Sequence, residues 1–399
     1  MKMMHHFMKN YSYILGTFNI TADDLDYMNN YSAVIINTNN DPSVCFCGGY
    51  VRELALYYRV YHGYVALIVC LFGVVANILN IVVLTRKDMA IAPINRILTN
   101  LATVDMLVMI EYIPFALYEY FVLPEKQKFP YGWAVFVLFH MHFAQLLHTI
   151  SIALTLLLAI WRYIAIRFPQ YSHTWCTASR CRCSIWCCFF FPIIACAPSY
   201  LVFGIHEKYI YENGKKDILY HVDAWSYSSN SSVLYQLNFW TLGVVVKLLP
   251  CLILTGISCS LIKALYKAKG RKQVLRGYNP CSMTNDDKVS RRPSKSERRA
   301  DRTTRMLVAI LLLFLITEIP QGVLGLMSGI YGDCFFRNCY HNFGEFMDIL
   351  ALLNGAINFI LYCSMSRQFR TTFSQLFKPR IMNKWHGTTQ QTEIHSTYV

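Results

Sequence analysis

Charged side chains are scarce in this chain. Only 15% of its 399 residues are Asp, Glu, Lys or Arg, against about 25% in ordinary soluble domains. Acids are scarcer still, 23 Asp and Glu beside 37 Lys and Arg. That composition excludes the usual water-facing surface. Also missing are a His-Glu-x-x-His pair, a phosphate-cradling glycine loop, and an evident nucleophile with its base, so common enzyme chemistries lack their residues. No stretch repeats between the two halves, and no pair of apolar segments is broken by Gly and Pro, as in many transporters. The first residues lack a compact apolar core, so no cleavable signal peptide is expected, and the first spanning segment is read as a signal anchor.

What is abundant is hydrocarbon. Apolar residues make up 55% of the chain. Long runs fall at roughly 61–85, 97–120, 134–160, 184–204, 237–262, 306–330 and 343–364, each near the ~20 residues a helix needs to cross a bilayer. They are too long and too uniform for barrel strands. The expected fold is an all-α membrane protein, a seven-transmembrane helix bundle, followed at 366–377 by a short amphipathic eighth helix on the inner leaflet. The expected divisions are an outer tail over 1–60, the bundle over 61–365 with a long third inner loop at 267–303, the amphipathic helix, and an inner tail over 378–399.

The net charge of +14 is unevenly spread. Lys267, Lys269, Arg271, Lys272, Arg276 and further bases up to Arg305 lie between the fifth and sixth runs. Arg86, Lys87, Arg96, Arg167, Arg180 and Arg182 lie in two other short loops on the same side. Loops rich in Lys and Arg stay in the cytoplasm, which puts the N-terminus outside a plasma membrane. Because the charge follows topology, nucleic-acid binding is not expected. The sequons at Asn10, Asn19, Asn30 and Asn230 all fall in expected outer segments, where glycosylation takes place. The loop from about Lys269 to Thr303 is polar and Ser-rich, and reads as largely disordered. Ser290, Ser294 and Ser296 lie there among bases as candidate phosphorylation sites.

Of fifteen cysteines, Cys45, Cys47, Cys334 and Cys339 are expected outside, where disulfides persist. A bridge within Cys-x-Cys would be strained. A link from the N-terminal pair to the third outer loop is favoured, with a bridge inside that loop as the alternative. Cys176, Cys181, Cys183, Cys187 and Cys188 cluster at the inner end of the fourth run. No second cluster completes a zinc site, so buried, palmitoylated thiols are the better reading.

Each apolar run carries polar or aromatic punctuation: Asn77 in the first, Asp105 in the second, Ser151 and Trp161-Arg162-Tyr163 in the third, Trp186 in the fourth, Pro250 in the fifth, Glu318 and Pro320 in the sixth, and Asn354, Asn358 and Tyr362 in the seventh. This ordered set resembles the rhodopsin-like, class A family of G-protein-coupled receptors over about residues 60–377. The resemblance implies a small inner cavity for a sodium ion at Asp105, Ser151, Asn354 and Asn358, a donor set that suits a hard cation. The alternative is a protonated, hydrogen-bonded Asp105 with no ion. No other cofactor is implied. The resemblance also gives Arg162 and Tyr163, with Asn358 and Tyr362, a role in activation and in meeting a heterotrimeric G protein. Departures stand beside the matches. The acid before the arginine is Trp161, and the sixth-helix position that often supplies a second acid is Ala300. Glu318 replaces a Trp, and Phe359 a Pro. Val137 stands where the family has a cysteine, and the second outer loop has no cysteine at all.

Ligand chemistry can be narrowed by position. Amine receptors use a third-helix Asp where this chain has Ala144, and opsins a seventh-helix Lys where it has Leu352. The upper half instead gathers Glu111, Tyr112, Glu119, Glu318, Glu345 and Asp348, with Phe115, Tyr118, His140 and Gln145. Pooled carboxylates suit an arginine side chain, and aromatic walls suit a phenylalanine beside it. An amidated peptide ending in Arg-Phe satisfies both. Tyr61-His-Gly-Tyr64, Glu111-Tyr-Ile-Pro114, Trp161-Arg-Tyr, Lys247-Leu-Leu-Pro250 and Thr317-Glu-Ile-Pro320 resemble the invertebrate myosuppressin receptor branch, which implies FMRFamide-related neuropeptides as ligands and Gi/o coupling. A structural reading stands beside this. Glu318 could pair with Lys247, His148 or Asn354 instead, Glu119 and Glu345 could face the headgroups, and His140, His142 and His148 read as packing residues rather than a metal set. A receptor for another peptide or a small molecule would keep the fold and lose the pocket; a transporter is the weaker alternative. The C-terminal Thr397-Tyr-Val399 fits a PDZ partner.

Overall fold

Seven helices are long and apolar enough to cross a bilayer. They are α1 (Tyr50–Leu84), α2 (Pro93–Leu117), α3 (Tyr131–Arg167), α4 (Ala178–Val202), α5 (Ser229–Trp240, its membrane span running to Ser260), α6 (Lys295–Tyr331) and α7 (His341–Met365). A further helix, α8 (Arg367–Phe377), follows at once. The structure is a computed structural model and describes residues 47, 50–123, 130–212, 215–224, 229–260, 262–263 and 295–377. The expectations for Asn10, Asn19, Asn30, Cys45, Ser290, Ser294 and the C-terminal tail lie outside these residues, and Ser296 falls in the first turn of α6. Asn230 falls in the first turn of α5.

The helices close into a ring. α1 packs on α2 and α7, α2 on α3, α3 on α4, α4 on α5, α5 on α6, and α6 on α7. Polarity is inverted relative to a water-soluble protein. His62, Asn77, Asn80 and Glu318 are fully buried, while Ile68, Leu71, Ile194 and Leu252 stand on the outer surface, 58–74% exposed. Hydrocarbon outside and hydrogen-bonding groups inside is what a lipid solvent requires. Asn77 ties α1 to α7 by donating to the Gly355 carbonyl at 3.2 Å.

Proline marks two irregular points. Pro114 sits in the last turn of α2, which then widens into a π-helical turn at Tyr118–Val122. α5 likewise passes through a π-helical stretch at Thr241–Leu248. There it meets α6 at a glycine seam. A Cβ on Gly243 would lie 2.8 Å from the Leu326 amide nitrogen, and one on Gly322 would lie 2.9 Å from Lys247 Cβ. Only hydrogen at these positions lets the two backbones approach this closely.

The structure adds what the hydropathy pattern hides. α1 begins at Tyr50, eleven residues before the apolar run, and the good helix formers Arg52-Glu53-Leu54-Ala55-Leu56 lie in this extension. α6 begins at Lys295, so residues 295–303 are helical rather than loop. The segment between α4 and α5 folds into an antiparallel hairpin, β1 (Phe203–Glu212) and β2 (Lys215–Ala224), in register from Phe203↔Ala224 to Glu212↔Lys215. Asn213-Gly214 between the strands is a strong two-residue turn signal, overlooked in a chain read as all helix. Cys47 is bridged to Cys339 across 292 residues, and Cys334 is also disulfide-bonded. Arg337 donates to Asp223 at 2.7 Å, fastening the segment between α6 and α7 to the hairpin.

Candidate functional site

The polar axis of the bundle has three levels. At the outer level, Arg59 of α1 lies 3.4 Å from Glu119 and 3.5 Å from Glu345. Trp133 Nε1 donates to Glu119 at 3.2 Å, and the Tyr120 hydroxyl donates to Glu345 at 3.2 Å. One guanidinium thus bridges carboxylates at the end of α2 and in α7. Slightly deeper, His140 Nδ1 sits 2.6 Å from Glu111, and the His140 ring stacks on Phe115 with centroids 3.9 Å apart. Tyr112 joins His62 at 2.8 Å and adjoins Asp348. Around them Phe115, Tyr118, Tyr120 and Trp133 form an aromatic wall.

The middle level is an ion cluster around Glu318, which has no exposed surface. Lys247 Nζ donates to Glu318 at 2.7 Å and to Gln321 at 2.6 Å. His148 Nε2 lies 3.0 Å from one Glu318 oxygen and 3.2 Å from the other. A carboxylate this far from water must be paired, and α3, α5 and α6 each contribute a residue to the pairing. Gln145 belongs to a neighbouring contact: its amide oxygen accepts from Ser199 at 3.0 Å. Among the described residues, Glu111 Oε2 and Gln145 Nε2 are buried with no hydrogen-bond partner.

The sequence reading pooled the acids for an incoming cation. The structure gives Glu111, Glu119, Glu318 and Glu345 internal basic neighbours. Arg59 was missed because the hydropathy window began α1 too late, and His62 was read only as part of a motif; they lie three residues apart and share one helix face. The pairing of Glu318 with Lys247 and His148 is the structural alternative weighed above; no bond joins Glu318 to Asn354 among the described residues.

Below the cluster lies a small cavity of about 20 Å³ lined by Asp105, Ser151, Asn354 and Asn358, enough for a single water-sized occupant. Ser151 donates to one Asp105 oxygen at 2.7 Å, and Asn358 donates to the other at 3.1 Å. A carboxylate, a hydroxyl and two amides supply oxygen donors that fit a hard monovalent cation.

At the inner level, Trp161 is buried in the core that includes Leu158, Tyr362 and Phe369. Among the described residues no carboxylate pairs with Arg162, and its Nε is buried without a hydrogen-bond partner. Tyr163 meets Phe168 edge-on at 6.2 Å. Tyr362 lies 5.9 Å from Phe369 of α8.

Seven spanning helices, a hydrogen-bonded polar axis and an arginine near the far end of α3 have the architecture of a G-protein-coupled receptor. Residues 64–380 match the family model described as serpentine type 7TM GPCR chemoreceptor Srw, and the chain belongs to that family. It is therefore a multi-pass plasma-membrane signalling receptor rather than an enzyme. Among similar proteins, the G-protein coupled receptor dmsr-1 of Caenorhabditis elegans is 29% identical, over 81% of this chain and 69% of its own. The sex peptide receptor of Drosophila melanogaster is 29% identical, over 84% and 76%. The FMRFamide receptor of the same fly is 23% identical, over 79% and 54%.

Proposed function

We propose that this receptor binds an amidated neuropeptide of the FMRFamide-related, myosuppressin-like kind at its outer end and signals through heterotrimeric G proteins, Gi/o in particular. The observation that carries this reading is the partnerless Glu111 oxygen, buried where its other oxygen meets His140 and the His140 ring stacks on Phe115 of the aromatic wall. A buried anionic acceptor with a vacant lone pair favours a cationic donor, and the stacked rings favour a neighbouring phenylalanine. The relatives' peptide and FMRFamide names support the same class. The ligand's arginine would exchange with, or insert beside, the internal cations at Glu111, Glu119, Glu318 and Glu345. Tyr112, His140, Gln145 and Asp348 would shape the pocket.

The class A ordering of polar residues supports assigning G-protein contact to Arg162 and Tyr163, and rearrangement on activation to Asn358 and Tyr362. Asp105, Ser151, Asn354 and Asn358 would hold a sodium ion, which supplies a positive charge against the Asp105 carboxylate. The bases on alternate loops support an outer N-terminus, glycosylated at Asn10, Asn19, Asn30 and Asn230, and an inner C-terminus available to a PDZ protein.

The test is G-protein activation in cells across amidated RF peptides, their free acids and Arg-replaced analogues. Activation by the amidated, Arg-bearing peptides alone is expected. Silence at normal surface expression refutes the ligand class. Antibody access to N- and C-terminal tags on intact cells reads the orientation separately.

A further inference from the structure

The outer acids Glu119 and Glu345 come from different helices yet share one cation. Arg59 directs Nη2 to Glu119 at 3.4 Å and Nε to Glu345 at 3.5 Å. Strong charge-assisted bonds from nitrogen to a carboxylate run at about 2.7–2.9 Å, so both contacts are long. Gly63 brings α1 near enough for them. It lies one turn along from Arg59 on the same helix face, and a Cβ there would sit 2.6 Å from Tyr120 Cβ. α1 therefore rests directly against the turn that carries Glu119.

The two acids are also placed by groups other than Arg59. Trp133 of α3 donates to the second Glu119 oxygen, and Tyr120 donates to Glu345, each at 3.2 Å. Trp133 is itself buried and stacked on Phe115. Arg59, by contrast, is 29% exposed, on a long side chain that can swing its charge toward water. Neutral donors thus fix the carboxylates, while the cation between them is the movable part. The wall continues from Phe115 to His140 and Glu111. The Glu111 side chain is 9% exposed, and its second oxygen has no hydrogen-bond partner among the described residues. A donor is missing there.

We propose that Glu119 and Glu345 form a guanidinium subsite with Arg59 as its built-in occupant, and that a ligand's arginine enters by displacing Arg59 while a second donor of the ligand meets Glu111. Arg59 then sets selectivity at the mouth of the pocket. An incoming guanidinium has five donors in a planar fork and can offer short bonds, where tethered Arg59 makes two long ones. An ammonium lacks the fork, and a neutral side chain lacks the charge, so neither exchanges as well. While Arg59 holds the acids, the apparent affinity of a guanidinium ligand is reduced by the fraction of time that the subsite is open. Naming a peptide as the source of the arginine rests on the function proposed above; the exchange at the acid pair does not.

The test uses the purified full-length receptor in neutral detergent and reads the thermal unfolding midpoint against probe concentration, since a ligand that binds the folded state raises it. The probes are Nα-acetyl-argininamide and Nα-acetyl-citrullinamide, which matches it in shape and carries no charge. R59Q is expected to respond to the argininamide at a concentration about tenfold lower than the wild type, the shift for a subsite that Arg59 leaves open about a tenth of the time. The citrullinamide is expected to leave both proteins unchanged. R59K keeps the positive charge and is expected to fold whatever the yield of R59Q. Its ammonium lacks the guanidinium fork, so its response should fall between the other two. A purely structural Arg59 would lower the midpoint of the variants without separating the two probes. An argininamide response equal in R59K and wild type, or an equal response to the citrullinamide, overturns the exchange. In cells, both variants are expected to raise the potency of an amidated, Arg-bearing peptide and not that of its Arg-replaced analogue. Silence toward all such peptides, with the argininamide response intact, refutes the peptide reading and leaves the exchange standing. Activation whose potency neither variant alters refutes the exchange and leaves the peptide reading standing.

Discussion

Glu318→Gln separates an internal ion cluster from a ligand subsite. The change keeps side-chain size and removes one charge. In the wild type, Lys247 donates to Glu318 at 2.7 Å and His148 lies 3.0 Å away, all within the bundle. Removing one partner of a buried ion pair costs ~3–5 kcal/mol. Here the loss is smaller, because Gln321 still accepts from Lys247 at 2.6 Å and the new amide oxygen can accept as well; ~1–3 kcal/mol is expected, the cost of an imperfectly satisfied buried group. Thermal unfolding of the purified receptor should therefore fall for Glu318→Gln and for Lys247→Met, and recover in large part in the double variant, where no unpaired charge remains. Signalling supplies the second readout. If the ligand's arginine reaches this cluster, it forfeits a charged bond of ~1.5–3 kcal/mol, or about 10–150-fold in potency. An analogue lacking the arginine should lose far less. Equal losses for both peptides would show that Glu318 supports the bundle and does not read the ligand. Additive instability of the two single changes would refute the pairing energetics.

Arg162→Gln should abolish or greatly reduce G-protein activation while surface delivery and peptide binding persist; full signalling would remove Arg162 from the inner mechanism. Cys339→Ser opens the bridge to Cys47 and should cost about 2–5 kcal/mol, as for a native disulfide closing a long loop, seen as reduced surface expression and ligand binding; unchanged values would make the bridge dispensable. Gly243→Ala drives a methyl toward the Leu326 amide, 2.8 Å from the new Cβ, and should destabilise by ~1–3 kcal/mol through overpacking. Gly256→Ala on the same helix has open space at its Cβ and should be neutral or gain up to ~1 kcal/mol from helix propensity. Matching melting temperatures for the two alanine variants would refute the glycine seam. His221 is held below its usual pKa chiefly by burial, with Asp223 opposing. The hairpin should therefore keep its full stability above the ordinary histidine value near 6.5 and lose it as pH falls below that. Protection factors for amide exchange in β1 and β2, taken relative to the intrinsic rate at each pH, that do not change between pH 7.5 and 5 would refute this.

Legibility in the sequence followed the range of the signal. A spanning helix declares itself in any twenty-residue window, so the seven runs could be read directly. The Asp105, Ser151 and Asn358 contacts could be anticipated because a familiar order of polar residues carried them. What escaped was local or non-periodic. Arg59 was assigned to a tail because its neighbours are mixed in polarity, yet it bridges two carboxylates. The Asn213-Gly214 pair carried a clear hairpin signal in the sequence that hydropathy averaging erased. The internal partners of the acids could not be assigned, because helix rotation decides whether Glu111 meets His140 or a ligand, and a uniformly apolar helix such as α4 gives little information about its rotation.

The absence of an acid before Arg162 changes what can restrain the receptor. A guanidinium held by a carboxylate is restrained by charge, a bond strengthened by low dielectric and released by a competing anion or protonation. Here the neighbouring position is Trp161, buried with Leu158 and Tyr362 in a core that extends to Phe369 of α8. Burying a large apolar side chain is worth roughly 1.5–3 kcal/mol, more than the ~0–1 kcal/mol of a surface-screened ion pair, and is insensitive to pH. Restraint at the inner end therefore falls to aromatic packing across α3, α7 and α8, while the charged contacts concentrate around Glu318 and at the outer mouth. A cationic ligand competing for those outer acids would perturb α3, α5 and α6 together, since His148, Lys247 and Glu318 meet at one point. The glycine seam brings the α5 and α6 backbones into direct contact just beside that point, on its Tyr331 side, so a displaced ion cluster would act on both helices at once.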